Sequence, residues 1–204
     1  MNIDAHMSFS DNCEAKTYVP DDNFEAYLET HDPNGQTVSI GDPTSMGDGI
    51  ANNDSVLTAS ISGVTSLYIN NQSIADLNGI EDFDSLQTLR CGNNSLSTIN
   101  LSYNTTLRTL LISGNQLSSL DLSSNTALTN LGCGDNQLTS LDVSGCTVLT
   151  DLSCEDNLLT SLDVSSCDSL KSLVCDNNNL NTITLNTAIE LLECNFNQLN
   201  SLDV

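Results

Sequence analysis

The stretch "LTDLSCEDNLLTSLDVSSCDS" (residues 149–169) carries two cysteines thirteen residues apart, and each has a counterpart one stretch earlier, Cys133 and Cys146. The pattern beneath it, L-x-x-L-x-[C/I]-x-x-N-x-L-x-x-L-x-L/V, recurs in seven units that start at Val64, Leu86, Leu107, Leu128, Leu149, Leu170 and Ile189. Successive starts lie 22, 21, 21, 21, 21 and 19 residues apart, so the sixth unit has lost two residues. The N position holds Gln72, Asn94, Asn115, Asn136, Asn157, Asn178 and Asn197 in turn. A fixed period of this length is the mark of stacked coils.

Each unit reads as one coil. The segment "L-x-L/C" alternates inward and outward, which gives a short parallel strand with its apolar residues inside. At the next corner an inward Asn can bond backbone groups of the turns above and below, which a tight buried corner leaves open. A second alternating piece, "SLDLS", "SLDVS" and "SLDVS" at 119–123, 140–144 and 161–165, forms the opposite wall. It has no helical period, and Ser, Thr, Asn and Asp are poor helix formers. The expected fold is a solenoid with parallel strands on the concave face and an extended or irregular convex side, on the order of 34 Å long.

These units resemble the leucine-rich repeat family over residues 64–204. "VTSLYINNQSIADLNGIEDFDS" (64–85) looks like the 22-residue subtype, and the following units are similar to a 21-residue bacterial subtype. The lead-in, "YVPDDNFEAYLE" followed by "GDGIANNDSVLTASISGVTSL", is similar to that of surface leucine-rich repeat proteins of the Bacteroidetes. The resemblance implies a non-enzymatic, secreted or cell-surface protein whose concave face serves protein recognition and adhesion.

Residues 14–63 are expected to cap the first coil, whose core would otherwise meet water. Asp21 or Asp22 is the candidate N-cap of a short helix with Phe24, Tyr27 and Leu28 on one stripe, and "VLTASIS" (56–62) reads as a strand leading into the array. Residues 1–13 read as a cloning remnant or flexible N-terminus. The last coil ends at "LNSLDV" without a cap, so truncation of a longer array is expected, with self-association through the open edge as the alternative.

Acidic residues number 27 against four basic ones, Lys16, Arg90, Arg108 and Lys171, for a net charge of −23. A surface this negative repels phosphate backbones and anionic lipid, which argues against nucleic-acid partners. No apolar run approaches the roughly 20 residues that would cross a bilayer, so no membrane insertion is expected.

Cys91, Cys133, Cys154, Cys175 and Cys194 share one offset with Ile69 and Ile112, the pattern of a small buried apolar site. Cys146 and Cys167 occupy a second offset, filled by Asn104 and Asn125 elsewhere. Free buried thiols are the first reading, because stacked strands point their side chains in parallel and keep the Cβ atoms too far apart to bridge; a Cys146–Cys167 disulfide is the alternative. A straight ladder does not supply tetrahedral zinc ligands. Cys13 lies outside the array and is unpaired on this reading.

The outward residues of the strand face are the candidate binding surface: Tyr68, Arg90, Leu111, Gly132, Ser153, Val174 and Glu193, beside Asn70, Gly92, Ser113, Gly134, Glu155, Asp176 and Asn195. With Asp135, Asp151 and Asp156 nearby, the middle to C-terminal part is acidic, while Tyr68, Arg90 and Leu111 form a mixed patch. A docking surface for a basic or polar partner and a plain solvated face both remain open.

No cofactor is implied, with calcium the one ion to consider. Asp121, Asp142 and Asp163 form a ladder of carboxylates one coil apart. In "SMGDGIANND" (45–54), Asp48-Gly49 resembles a calcium loop, but Met46 and Ser55 stand where acidic ligands belong. Asp42, Asp48, Asn52 and Asp54 are the candidates there. His6 and His31 are isolated, and no nucleophile–base pairing, phosphate-cradling loop or HExxH motif supports catalysis. Rows of hydroxyls (Thr98, Ser119, Ser140, Ser161 and Thr182; Ser102, Ser123, Ser144 and Ser165) keep a second class open, binding of carbohydrate or another repetitive surface. A structural spacer within a larger surface protein is a third.

Overall fold

The computed structural model describes residues 14–200; the expected N-terminal remnant with Cys13, and residues 201–204, lie outside it. Strand β1 (Lys16–Tyr18), helix α1 (Asp22–Thr30), β2 (Ser55–Leu57) and α2 (Thr58–Ile61) precede the array. Then come β3 (Ser66–Tyr68), a 3-10 turn (Ile80–Asp82), β4 (Thr88–Arg90), β5 (Thr109–Leu111), β6 (Asn130–Gly132) and β7 (Asp151–Ser153). β8 (Ser161–Asp163), β9 (Ser172–Val174), β10 (Thr182–Thr184) and β11 (Leu191–Glu193) complete it.

Seven strands form one parallel sheet in the order β11-β9-β7-β6-β5-β4-β3, so each coil pairs with the next. The central leucine of each strand points inward: Leu67, Leu89, Leu110, Leu131, Leu152 and Leu173 are buried, and Leu192 of the edge strand β11 is half-buried against the same core. The opposite wall pairs only between β8 and β10, in parallel. Elsewhere it is irregular, with tight turns and no convex helix beyond the single 3-10 turn. This is a β-solenoid with a helical N-terminal cap.

From the second coil on, an inward Asn amide holds each corner. Asn157 Nδ2 donates to the carbonyls of Cys133 (3.0 Å), Cys154 (3.2 Å) and Glu155 (3.1 Å), while its Oδ1 accepts the Leu138 N–H at 3.0 Å. Asn94, Asn115, Asn136, Asn178 and Asn197 each repeat the bond to the preceding coil's carbonyl. Just before each amide the backbone turns left-handed, at Asn71, Asn93, Gly114, Asp135, Asp156, Asn177 and Phe196. Gly has no Cβ to clash there and Asn or Asp tolerates it; Phe196, at φ 54°, departs from the row.

The thiols fill the core. Cys91, Cys133, Cys154 and Cys175 are fully buried and free, and burial pushes Cys91, Cys133 and Cys175 up to about 12. Cys146 and Cys167 are also free: Cys146 Sγ faces the Asn125 carbonyl at 3.8 Å, and Cys167 Sγ the Val143 carbonyl at 3.4 Å. Those contacts substitute for the bonds that Asn104 and Asn125 make at the same offset through their amide nitrogens.

In the cap, Asp21 is the helix N-cap. Its Oδ1 accepts the N–H groups of Asn23 and Phe24, both at 3.0 Å, and its Oδ2 accepts those of Ala75 (2.8 Å) and Asp76 (3.0 Å) in the first coil. One carboxylate thus ends the helix and joins cap to array. The strand expected over 56–62 is corrected. Only 55–57 is extended, and it pairs antiparallel with β1, whereas 58–61 is a helical turn. Val56 and Ile61 are both buried. An odd separation of five would send them to opposite faces of a strand, so the chain must coil to bury both.

Replacing Asn157 by Ala leaves a buried N–H and up to three carbonyls without partners, at about 1–3 kcal/mol for each group left unsatisfied. Denaturant unfolding is expected to show a loss of at least about 2 kcal/mol, against a change within about 0.5 kcal/mol for the exposed control Gln137→Ala. In a Cys13→Ser background at pH 8, alkylation of the native protein is expected at Cys194, which is half-buried, with the six buried thiols reacting only on unfolding.

Candidate functional site

The strand register builds a concave face of two straight rows. One runs Tyr68, Arg90, Leu111, Gly132, Ser153, Val174 and Glu193; the other runs Ser66, Thr88, Thr109, Asn130, Asp151, Ser172 and Leu191. The sequence reading found the first row complete. Of the second it found only Asp151, although the residue before each central leucine signals the whole row by strand alternation.

At the N-terminal end, the Arg90 guanidinium lies 5.2 Å from the centroid of the Tyr68 ring, and both side chains are exposed. Toward the other end the carboxylates are held. Asp151 Oδ2 accepts from Asn130 Nδ2 (2.9 Å) and Thr150 Oγ1 (2.7 Å), and Glu155 Oε2 accepts from Ser153 Oγ at 2.6 Å. Glu155 lies across Gly134, where a Cβ would come within 2.6 Å of its carboxylate oxygen. Asp176 accepts the Asn195 N–H. Asp135 and Asp156 stand exposed on the left-handed corner beside these, and Val174 is half-buried between the strands of Ser153 and Glu193. At the sheet's edge β11 carries Leu191, 48% exposed, with Phe196, 81% exposed, just beyond.

On the convex side, Asp121, Asp142 and Asp163 each accept the N–H of the serine two residues on, all at 2.9 Å. Cavities of about 260 and 200 Å³ lie between successive coils there, the first reaching Asn100, Ser102, Asp121 and Ser123, the second Asp121, Asp142 and Ser144.

The cap loop is gripped by two buried glutamates that sequence reading missed. Glu29 accepts the N–H groups of Asp48 (2.6 Å) and Gly49 (2.9 Å), and Glu25 those of Asn53 (3.0 Å) and Asp54 (3.2 Å). Their i, i+4 spacing puts both on one side of α1, a weak signal because Glu is rarely buried. Burial raises Glu29 above the ordinary carboxylate range, against the pull of the Asp48 and Gly49 N–H groups. Asp48 pairs with Lys16 at 2.7 Å. Asp42 and Asp48 line one depression of about 120 Å³, whereas Asn52 and Asp54 belong to the neighbouring left-handed turn. Among the described residues the carboxylates that converge are Asp22, Glu25 and Asp54, within 4.8 Å of one another. Only Asp54 of these was a candidate. His31 stacks on Tyr27 at 3.9 Å and is half-buried.

The N–H and hydroxyl groups of Ser123, Ser144 and Ser165 hold Asp121, Asp142 and Asp163 below the usual aspartate range. Their contribution to stability is therefore full above the unfolded value near 3.9 and is lost as pH falls through the lowered folded values. An amide makes the same bond without titrating, as Asn100 does with the Ser102 N–H at 3.1 Å. The triple variant Asp121→Asn, Asp142→Asn, Asp163→Asn is expected to lose less thermal midpoint than the wild type between pH 6 and pH 3.

No family model and no curated protein matches the sequence. Among solved structures, the functional domain of InlJ from Listeria monocytogenes, which includes a cysteine ladder, is 28% identical with a TM-score of 0.54, over 93% of this chain and 49% of that one. The Leptospira interrogans leucine-rich repeat protein LIC12759 is 24% identical with a TM-score of 0.60, over 69% and 39%. The LRIM1/APL1C complex gives 23% and 0.64, over 70% and 28%. The chain thus spans about half the length, or less, of each of these. No helix of the described residues is long and apolar enough to cross a membrane. Its structural neighbours are leucine-rich repeat proteins, and this chain folds as a leucine-rich repeat solenoid.

Proposed function

We propose that this chain is a non-enzymatic recognition module, exported to a bacterial cell surface, that binds a protein through its concave face. The observation that carries the reading is the pair of in-register outward rows, with carboxylates pre-ordered by Asn130, Thr150 and Ser153. Side chains already fixed in the free state lose less entropy on docking, which favours recognition. A leucine-rich repeat neighbour occurs in a protein complex, LRIM1 with APL1C, and two of the neighbours are bacterial. The biotinylated chain captures candidate partners. The double reversal Glu155→Lys with Asp176→Lys is expected to weaken binding of the captured protein at least tenfold while changing stability by less than about 1 kcal/mol. Capture that survives this reversal would sink the reading.

A second reading rests on the convex side. Ser119, Ser140 and Ser161 stand exposed one coil apart, and Ser102, Ser123 and Ser144 line the two cavities, a lattice suited to a polyhydroxylated polymer. A glycan array read with and without Ca²⁺ tests it, and a Ca²⁺ titration that raises the thermal midpoint would identify ion binding to the native state.

A further inference from the structure

Charge is sorted along the concave face. Over the first three strands the two rows hold Ser66, Tyr68, Thr88, Arg90, Thr109 and Leu111, without a carboxylate. Every carboxylate on or beside the rows lies from β6 onward: Asp135, Asp151, Glu155, Asp156, Asp176, Glu190 and Glu193. Two of the chain's four basic side chains are taken up in ion pairs, Lys16 with Asp48 and Lys171 with Glu190. Arg90 makes no ion pair among the described residues, although the chain carries 27 acidic ones. It instead meets the Tyr68 ring, in a cation–π contact. A cation–π contact of this kind uses no hydrogen bond of the guanidinium, whose five N–H donors are left to meet a carboxylate. Arg108, exposed at the start of the same coil as Leu111, adds positive charge to that end. Tyr and Arg are also the residue types in which binding energy concentrates at protein interfaces.

We infer that the face fixes the orientation of its partner: a protein segment lies along the stack with a carboxylate side chain against Arg90 and a basic side chain against Asp151 and Glu155. This rests on the concave-face reading and adds to it the spacing of opposite charges in the partner. Arg90 and the Asp151–Glu155 group stand three strands apart, about 14 Å at the usual spacing between paired strands. An extended segment rising about 3.3 Å per residue covers that distance in four or five residues. A partner whose two charges lie closer together can match only one end of the face at a time.

The test is a random peptide library displayed on phage and panned on the whole chain, on Arg90→Gln and on Ser153→Trp, which obstructs the middle of the face. Peptides enriched on the wild type are expected to carry Asp or Glu four or five residues from Lys or Arg. On Arg90→Gln the enrichment of the acidic position is expected to fall at least tenfold while the basic position is retained. Basic enrichment with no acidic residue at that spacing, or acidic enrichment that survives Arg90→Gln, overturns the polarised register and leaves the concave-face reading standing. Peptides that bind Ser153→Trp as well as the wild type overturn the concave-face reading itself, and this inference with it.

Discussion

The carboxamide of Asn157 meets four backbone groups at once, and Asn94, Asn115, Asn136, Asn178 and Asn197 likewise bond the coil before them where each later coil leaves the concave sheet. A chain that turns sharply inside a closed ring points peptide groups at its own interior, where water cannot serve them. Asn alone offers both a donor pair and an acceptor at this reach; Asp lacks the donors and Gln is longer by a methylene. Because each amide bonds the coil before it, the ladder ties corner to corner as well as strand to strand. The concave rows are straight because these corners are fixed. Even the two-residue shortening of the sixth unit respects this. β10 still pairs with β8 in register and β11 with β9, so the missing residues come out of the turn between Thr184 and Asn186.

The cap applies the same principle with charge. Asp21, Glu25 and Glu29 all spend their carboxylates on backbone N–H groups, Asp21 reaching into the first coil and the two glutamates into the 48–54 loop. A segment whose donors turn inward toward carboxylates is held as an anion would hold it, the opposite of the oxygen cage that calcium takes. Gly47 is needed for this, since a Cβ there would sit 2.1 Å from the Glu29 carboxyl.

The solenoid was legible because its signals are periodic and redundant: leucines, amides and small core residues each repeat at one offset, so errors at single positions cancel. The cap has no such redundancy. Phe24, Tyr27 and Leu28 gave the helix, but the fate of 56–62 depended on whether Val56 and Ile61 share a side, which strand alternation alone answers only once both are known to be buried. The concave row through Ser66, Thr88 and Thr109 was missed because its residues are small and polar, so nothing in their chemistry marks them apart from convex Ser and Thr. The cation–π contact of Arg90 with Tyr68 requires the register, in which residues 22 apart become neighbours.

The left-handed corner sets one more property of this molecule. Its backbone admits Gly, Asn and Asp with little strain, and Asn and Asp have nearly the same shape. Exchanging amide for acid at Asn93, Asp135, Asp156 or Asn177 therefore shifts the local electrostatic potential without disturbing the ring that bears it. Scaffold and selectivity are adjustable separately, one atom at a time, along the rim of the surface a ligand would meet.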